Sequence, residues 1–473
     1  MSEQDRGSGV DVGLWGGLWA TGLLFHYAVA NDKWHLDEPI HVFAAACFAL
    51  LLAKPRWSIA WTIAALAQIS DGLFTAVTRN DIQMSWTIVA ATHVAMLLAL
   101  STVWHRPEEE RAQAALDRLA PSLRGVVLLV YFYAVFHKLN RGYFSSVNDK
   151  PVELLERMPG MNWAVAELGL GDWGAHIGIG IEAVALVLLL IPSLRLLGVL
   201  AAFSLHFGLG VVGFRQFLIM FPLLLLFLRA SSQAPPRWPE RVRRVLPFVL
   251  PPALTAFLLA NESRDSWTMF LTPLFVLGGA VFVFEVVRRV REHGPLRVGA
   301  LPIGPGRPLD VLLPVLFAAW CFLPYLGVTT HPCMTMYSRL SVHSGESNHY
   351  LVPAALQIDA IHGDMVKIIG TSSPGRFPLA AEVPRLSLRK QIAVTRLRGK
   401  PPRWVIYRHG DQEIRVTDGR IPDAAWYERL PMISFNGPSA LGTAKRRSRF
   451  NPRPRPVRAL GEPPSAPAPS DSP

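Results

Sequence analysis

Apolar runs long enough to cross a membrane dominate the first 330 residues of this chain. A helix needs about 20 predominantly apolar residues to span the hydrocarbon core of a bilayer. We therefore predict an all-α polytopic membrane protein with about 10–11 transmembrane helices. The predicted segments are 13–30, 40–53, 57–77, 84–104, 122–138, 172–191, 195–213, 214–228, 245–261, 266–287 and 309–328. Because 40–53 and 214–228 are shorter than a full span, we expect them to be tilted, re-entrant or extended by flanking residues.

The character of the sequence changes after Val328. Residues 10–330 are predicted to form the multi-helix membrane domain, and residues 331–435 a small β-rich domain. The second prediction rests on short runs rich in β-branched and aromatic residues, with His409-Gly410-Asp411 as a hairpin turn between the last two runs. Pro, Ser, Ala and Arg dominate residues 444–473, which we expect to be a disordered basic tail. The four runs predicted as strands are 365–370, 391–397, 403–410 and 412–419.

The distribution of basic residues between loops predicts the orientation of the helices. With the N-terminus inside, the cytoplasmic side holds eighteen Lys and Arg residues and the opposite side holds eight. Because cytoplasmic loops are enriched in basic residues, we predict a multi-pass protein of the bacterial inner membrane with an extracytoplasmic C-terminal domain. The formal net charge of +12 comes largely from these loops and from the tail. The bilayer, and no nucleic acid, is therefore the predicted partner.

The N-terminus and the cysteines exclude some other classes. The start MSEQDRGSG is acidic, so no cleavable signal peptide is predicted. The three cysteines form no CxxC motif, and two of them lie in apolar runs. We predict neither a disulfide framework nor a metal site.

Three ionisable residues at membrane depth mark the predicted site. Lys138 ends an aromatic-rich helix, and Glu182 and His206 lie in the middle of apolar runs. Ionisable groups in a bilayer are costly, and they usually face a cavity or the interior of the bundle. Lys138 is either an interfacial lysine whose ammonium reaches the headgroups or a desolvated base. Glu182 and His206 are either hydrogen-bonded structural residues or members of a catalytic site with Lys138.

A polar segment follows the last predicted helix, directly above the mouth of this site. It contains His343, Glu346, Asn348 and His349. Two histidines six residues apart, with a glutamate between them, match no standard zinc pattern. We predict a lid or cap over the membrane site, with His343, Asn348 and His349 as candidate cofactor-binding side chains.

These motifs resemble a known superfamily. The run YFYAVFHKLNRGYF, the helix with Glu182 and the run LHFGLGVVGFRQFLIMFPLLLLFL are similar to the vitamin K-dependent gamma-carboxylase and the bacterial HTTM (horizontally transferred transmembrane) proteins. The later LPYLGVTTHPCMTMYSRLSVHSGESNHYLVP looks like the segment after the last helix of HTTM proteins. The resemblance covers most of residues 10–355.

The resemblance implies a role for two of the ionisable residues. In the carboxylase, the lysine before the leucine is the base that deprotonates vitamin K hydroquinone, and Lys138 matches that lysine. His206 matches a histidine of the later helix, which implies a hydrogen bond to the quinone or to its oxygenated form. The cofactor then supplies the strong base, and the protein supplies position and a dry site.

This chain also departs from the carboxylase. Asn140-Arg-Gly-Tyr-Phe144 replaces the acidic, aromatic stretch after the carboxylase lysine, and the large lumenal portion is reduced to about 100 ordered residues. We therefore do not expect carboxylation of protein glutamates. The sequence leaves the cofactor open, and a membrane quinol is the candidate that the resemblance implies.

Two further classes of function stay open at this stage. One is a non-catalytic membrane protein, such as a binder, an immunity factor or a transporter-like protein, in which the ions form a binding or proton-relay site. The other is a scaffold whose basic tail engages anionic lipid. The leading hypothesis is a membrane enzyme that uses Lys138 as a base toward a lipid-soluble quinol or a similar small substrate.

Overall fold

In the computed structural model of the chain, most of the described residues are helical. A small antiparallel sheet follows the helices, so the coarse prediction of a helical body with a C-terminal β-rich part is confirmed. The described residues are 10–30, 39–74, 80–144, 152–153, 167, 173–229, 231, 264–299, 308–326, 338, 340, 342–343, 346–358, 365–374, 377, 379, 382–385, 388–389, 392, 395–396 and 401–421.

The α-helices of the described residues follow the predicted apolar segments closely. Every predicted segment contains helix, except 245–261, which lies outside the described residues. Short 3-10 helices occur at Pro192–Leu194, Arg215–Ile219, Leu323–Leu326 and Ala354–Leu356. The α-helices are α1 (Val12–Ala30), α2 (Pro39–Ala53), α3 (Ser58–Phe74), α4 (Asn80–Thr102), α5 (Glu108–Phe136), α6 (Gly174–Leu190), α7 (Arg195–Val211), α8 (Met220–Leu225), α9 (Arg264–His293) and α10 (Pro308–Phe322).

Helix α5 is longer than predicted. It begins at Glu108 rather than at residue 122, because its first half is amphipathic and buries Ala112, Ala115 and Leu116. Three acidic residues in the first turn favour a helix N-terminus. Glu108 also accepts hydrogen bonds from the backbone and hydroxyl of Ser58, at the start of α3. Because this first half is polar in sequence, the hydropathy pattern did not predict it as part of the helix.

The segment 214–228 is a broken helix in the middle of the helical body. Its 3-10 part, Arg215–Ile219, leads directly into α8, and every residue of both is buried. An apolar helix without a polar face has to be covered on all sides. Here α1, α7 and α9 pack around it.

Small residues let α1 approach this broken helix closely. A Cβ at Gly22 would lie 2.8 Å from the side chain of Ile219. Farther down, the indole of Trp15 donates a hydrogen bond to the carbonyl of Pro222. The two contacts show that α1 and the segment 215–225 run antiparallel.

The sheet lies beyond α10 and has its own small core. A two-stranded ribbon pairs β1 (Val342–His343) with β2 (Glu346–Ser347). The larger sheet has the antiparallel order β4-β3-β5-β6, and Gly410 and Asp411 form the predicted hairpin turn between β5 and β6. Gly410 has a φ of +56°, which suits glycine. The strands are β3 (Met365–Thr371), β4 (Glu382–Pro384), β5 (Trp404–His409) and β6 (Gln412–Thr417).

The prediction of a strand at 391–397 is wrong. Among the described residues of this stretch, Ile392, Thr395 and Arg396 are helical. Leu388 and Ile392 are both buried against the sheet, and a spacing of four residues places them on one face of a helix. The β-branched composition suggested a strand, but tertiary packing favoured the helical spacing.

Two helical stretches are long and apolar enough to cross a membrane, among the residues that the structure describes. They are Glu108–Phe136 and Pro192–Val211. Further apolar helices have 10 to 17 residues, including Gly174–Leu190 and Asp310–Leu326.

Candidate functional site

The end of α5 places Lys138 at the rim of the helical body. The backbone N–H groups of His137 and Lys138 still bond to carbonyls of the last helical turn, those of Tyr133 and Val135. The N–H of Asn140 then bonds to the carbonyl of Lys138 at 2.8 Å, which closes a tight turn. The lysine therefore sits on a rigid corner rather than on a loose loop.

Lys138 forms an ion pair with Glu182, which α6 presents from the opposite side. The ammonium lies 2.5 Å from Oε1 of Glu182 and also donates to Oε2. The two side chains are only 12% and 16% exposed. Such partial burial strengthens the attraction between the charges, because water screens them poorly there. The two residues that the sequence places 44 positions apart are thus in direct contact.

Tyr143 closes one side of this ion pair. The ammonium of Lys138 lies 5.8 Å from the centre of its ring, within the range of a cation–π contact. A Cβ on Gly178, one turn before Glu182, would lie 3.1 Å from the hydroxyl of Tyr143. Burial, and next the negative charge of Glu182, raise the pKa of Tyr143, so this phenol stays protonated.

His206 belongs to the same end of the bundle but does not contact Lys138. Its Nε2 atom is hydrogen-bonded to the hydroxyl of Tyr131 at 2.7 Å, and its side chain is buried. Tyr131 lies on α5, seven residues before Lys138, which follows the end of that helix. Tyr131 is also within electrostatic range of Glu182. Tyr131 therefore contacts the imidazole directly and lies near the carboxylate of Glu182.

The segment after α10 docks directly on the corner that holds Lys138. The backbone of Asn140 forms a bridge with that of His349, and the N–H of Tyr350 bonds to the carbonyl of Leu139. The side chain of Asn140 is completely buried and donates to the carbonyl of Ser338. These bonds attach the post-helical segment to the turn after α5.

The predicted cofactor-binding residues have different positions in this segment. Asn348 donates from its side-chain amide to Oδ1 of Asn140. The side chain of His343 lies outside the described residues. His349 uses both ring nitrogens for backbone contacts, with Nε2 at the carbonyl of Phe136 and Nδ1 accepting from two N–H groups. These contacts hold the segment on the end of α5, and the role of His349 in cofactor binding stays a prediction.

The contacts of His349 define its tautomer and its charge. Since Nδ1 accepts from the N–H groups of Leu351 and Val352, it carries no proton, and Nε2 must donate to Phe136. Burial lowers the pKa of His349 below its ordinary value of 6.5, an effect that the bond to Phe136 partly offsets. The docked state therefore contains a neutral imidazole.

A pH dependence of docking follows from this neutral imidazole. In the unfolded chain, His349 binds a proton as the pH falls through 6.5. In the native protein its pKa is lower, so it binds the proton only at a lower pH. Its contribution to stability is therefore complete above pH 6.5 and is lost as the pH falls below that value. Thermal unfolding between about pH 5 and pH 8 should show that His349→Gln destabilises the protein less as the pH falls. A difference between wild type and variant that stays constant with pH would contradict the assigned tautomer.

Several residues of the site carried no distinct signal in the sequence. Tyr131 and Tyr143 lie in an aromatic-rich run that is equally typical of a membrane interface. Asn140 directly follows the helix, and a polar residue there has many possible roles. Only its contacts with a segment some 200 residues later, such as the bond to Ser338, reveal its function.

No group of three metal-ligating side chains lies close enough to hold a metal ion, within the part of the chain that the structure describes. No family model, no curated protein and no solved structure matches this chain.

Proposed function

We propose that this protein is a multi-pass protein of the bacterial inner membrane, with its N-terminus in the cytoplasm. Outward-facing side chains support this proposal. On α10, Val311, Leu312, Val315 and Leu316 are between 43% and 58% exposed, and their spacing places them on one helix face. A contiguous apolar face of this kind is unfavourable in water and fits the hydrocarbon core of a bilayer.

Helices α6 and α9 have similar outer faces. Val184, Val187 and Leu190 of α6 are about half exposed, and Val283 and Phe284 of α9 exceed 40%. The shorter helices then span the bilayer by tilting or with local thinning. The charge of the loops supports the cytoplasmic N-terminus, which puts Lys138 on the extracytoplasmic side.

Within this membrane protein, we propose an enzyme whose base is the Lys138–Glu182 pair. The single observation that carries this proposal is the contact of the ammonium with both carboxylate oxygens in a site sheltered from water. In this proposal the carboxylate of Glu182 holds the side chain of Lys138 in place through two hydrogen bonds. The amine of Lys138, in its neutral form, then accepts a proton from a substrate hydroxyl.

A quinol is the substrate class that these residues fit best. Lys138 and Glu182 would receive its hydroxyl proton, the ring of Tyr143 would pack against it, and Tyr131 with His206 would bond to its second oxygen. A bound quinol supplies an acidic hydroxyl and a source of two electrons. This fit, together with the resemblance of the motifs around Lys138 and His206, favours a quinol-linked member of the HTTM/gamma-carboxylase-like superfamily.

Turnover of a defined quinol tests the proposal against non-catalytic binding. Wild type and Lys138→Ala, each in lipid nanodiscs, are incubated with menaquinol and dioxygen, and the lipid extract is examined by mass spectrometry. We expect wild type to release oxidised quinone, with hydrogen peroxide as the reduced product, and Lys138→Ala to match protein-free discs. Lys54→Ala, a change of a lysine in a loop at the opposite end of the helices, serves as the control. If wild type retains menaquinol unchanged, the proposal of an enzyme is wrong, and a binder or transporter-like protein is favoured.

A further inference from the structure

A second polar site lies beside His206, on the buried 3-10 helix Arg215–Ile219. Arg215 is only 4% exposed, and its guanidinium donates to the neutral hydroxyl of Thr272 at 2.8 Å. Its Nε atom has no hydrogen-bond partner, and no carboxylate pairs with it among the described residues. A buried charge without a counter-charge is costly. An anionic ligand would supply the counter-charge that Arg215 needs.

Other buried arginines of the helical body show how such a charge is normally accommodated. Arg195 donates to the carbonyls of Leu189 and Gly299. Arg289 pairs with Glu285 and donates to two carbonyls at the end of α8. Arg215 has neither kind of partner, which sets it apart from these structural arginines.

Gln216, the next residue, is also buried without partners. It is 1% exposed, and neither its side-chain oxygen nor its nitrogen has a hydrogen-bond partner. A buried amide with both groups unsatisfied destabilises a protein, and an apolar residue of the same size would not. Two such residues in succession indicate a site that a ligand completes.

Both side chains face the wedge between α1 and α9. Arg215 reaches α9 at Thr272. Gln216 lies three residues before Ile219, so it is on the same side of the 3-10 helix, and Ile219 packs on Gly22 of α1. Because the two segments run antiparallel, Gln216 sits about one helical turn beyond Gly22 along α1.

Aromatic rings line this wedge, and the turn around Gly213 lies beside it. Phe25 of α1 meets Phe275 of α9 edge-on, with ring centres 6.4 Å apart, and Phe275 also packs on Phe207. The turn between α7 and the 3-10 helix is half buried, and a Cβ on Gly213 would meet no atom within 4 Å. The charged site therefore has apolar walls and lies next to this turn.

We propose that Arg215 and Gln216 bind the carboxylate head of an amphiphile whose apolar body lies among these phenylalanines. The guanidinium pairs with one carboxylate oxygen and the amide N–H of Gln216 donates to the other, which satisfies both buried groups. This site is distinct from the Lys138–Glu182 pair, and its ligand binds whether or not that pair is catalytic.

Binding of palmitate tests the proposal directly. Purified protein in detergent is titrated with radiolabelled palmitate, with hexadecanol as the uncharged competitor of equal length. We expect palmitate to bind at least about tenfold more tightly than hexadecanol, and Arg215→Met to abolish this preference. Inorganic phosphate is added in a separate arm. If phosphate displaces palmitate at equal concentration, the site recognises free anions and the amphiphile assignment fails.

Stability of the ligand-free protein separates a binding role from a structural one. We expect Gln216→Leu and Arg215→Met to keep or raise the unfolding temperature, because each removes an unsatisfied buried group. Arg195→Met is the matched control. It should lower the unfolding temperature, because the carbonyls of Leu189 and Gly299 would lose their hydrogen-bond donor. If Arg215→Met and Gln216→Leu are as destabilising as Arg195→Met, or if they bind palmitate like wild type, the proposal is wrong.

Discussion

Lys138→Arg is expected to fold like wild type and to lose quinol turnover by at least about a hundredfold. The guanidinium keeps the positive charge and can pair with both carboxylate oxygens of Glu182, so the partly buried carboxylate keeps its counter-charge. A guanidinium is not deprotonated in proteins, however, and therefore cannot serve as the base. The substitution thus removes proton transfer and preserves the electrostatics of the pair.

The measurement is the initial rate of quinone formation in nanodiscs, with the unfolding temperature of each variant determined in parallel. Arg141→Lys is the matched control, since Arg141 is exposed three residues later in the same turn. We expect this control to retain both its rate and its unfolding temperature. Turnover by Lys138→Arg within a factor of about two of wild type would leave the lysine with a purely structural role.

Glu285→Gln is expected to destabilise the helical body by about 3–5 kcal/mol, the largest effect of a single substitution that we predict on stability. Glu285 is 2% exposed and accepts hydrogen bonds from Arg288 and from the fully buried Arg289. Arg289 in turn donates to the carbonyls of Leu225 and Leu228. Loss of the Glu285 carboxylate removes the hydrogen-bonded counter-charge of the buried Arg289 guanidinium. Arg289 also joins α9 to the end of α8 through its bonds to these two carbonyls.

Glu110→Gln provides the comparison for this substitution, because Glu110 is an exposed glutamate in the first turn of α5. The charge of an exposed glutamate at a helix N-terminus contributes little to stability, so we expect a small shift in its unfolding temperature. Thermal unfolding in a mild detergent compares the two variants. Equal unfolding temperatures would show that the Glu285 pair does not hold α9 to α8.

The sequence predicted the helices well because a long apolar run is a local signal. Twenty apolar residues are visible in a hydropathy profile, and the ends of α1, α6 and α7 fall within about two residues of the predicted bounds. The first half of α5 escaped this method, because an amphipathic helix with a charged start has a lower mean hydropathy. The stretch 391–397 was predicted as a strand because of its β-branched residues, whereas Ile392, Thr395 and Arg396 are helical.

The candidate site was predictable only in part. Charged residues inside apolar runs are conspicuous, so Lys138, Glu182 and His206 could be selected from the sequence. Arg215 and Gln216 were not selected, because they follow a glycine turn at the edge of a short apolar run. At such a position a polar residue usually reaches the membrane surface, and only the packing of α1, α7 and α9 around the 3-10 helix shows that both are buried.

The amino-acid sequence by itself determined that this chain forms apolar helices with a small β-rich part after them, because hydrophobic length and periodicity are properties of neighbouring residues. It also determined which residues would be costly to bury. Only the tertiary structure decided that Lys138 meets Glu182, that His206 bonds to Tyr131, and that His349 docks on Phe136. These contacts join residues far apart in the chain, and their geometry depends on how whole helices pack, which no local pattern encodes.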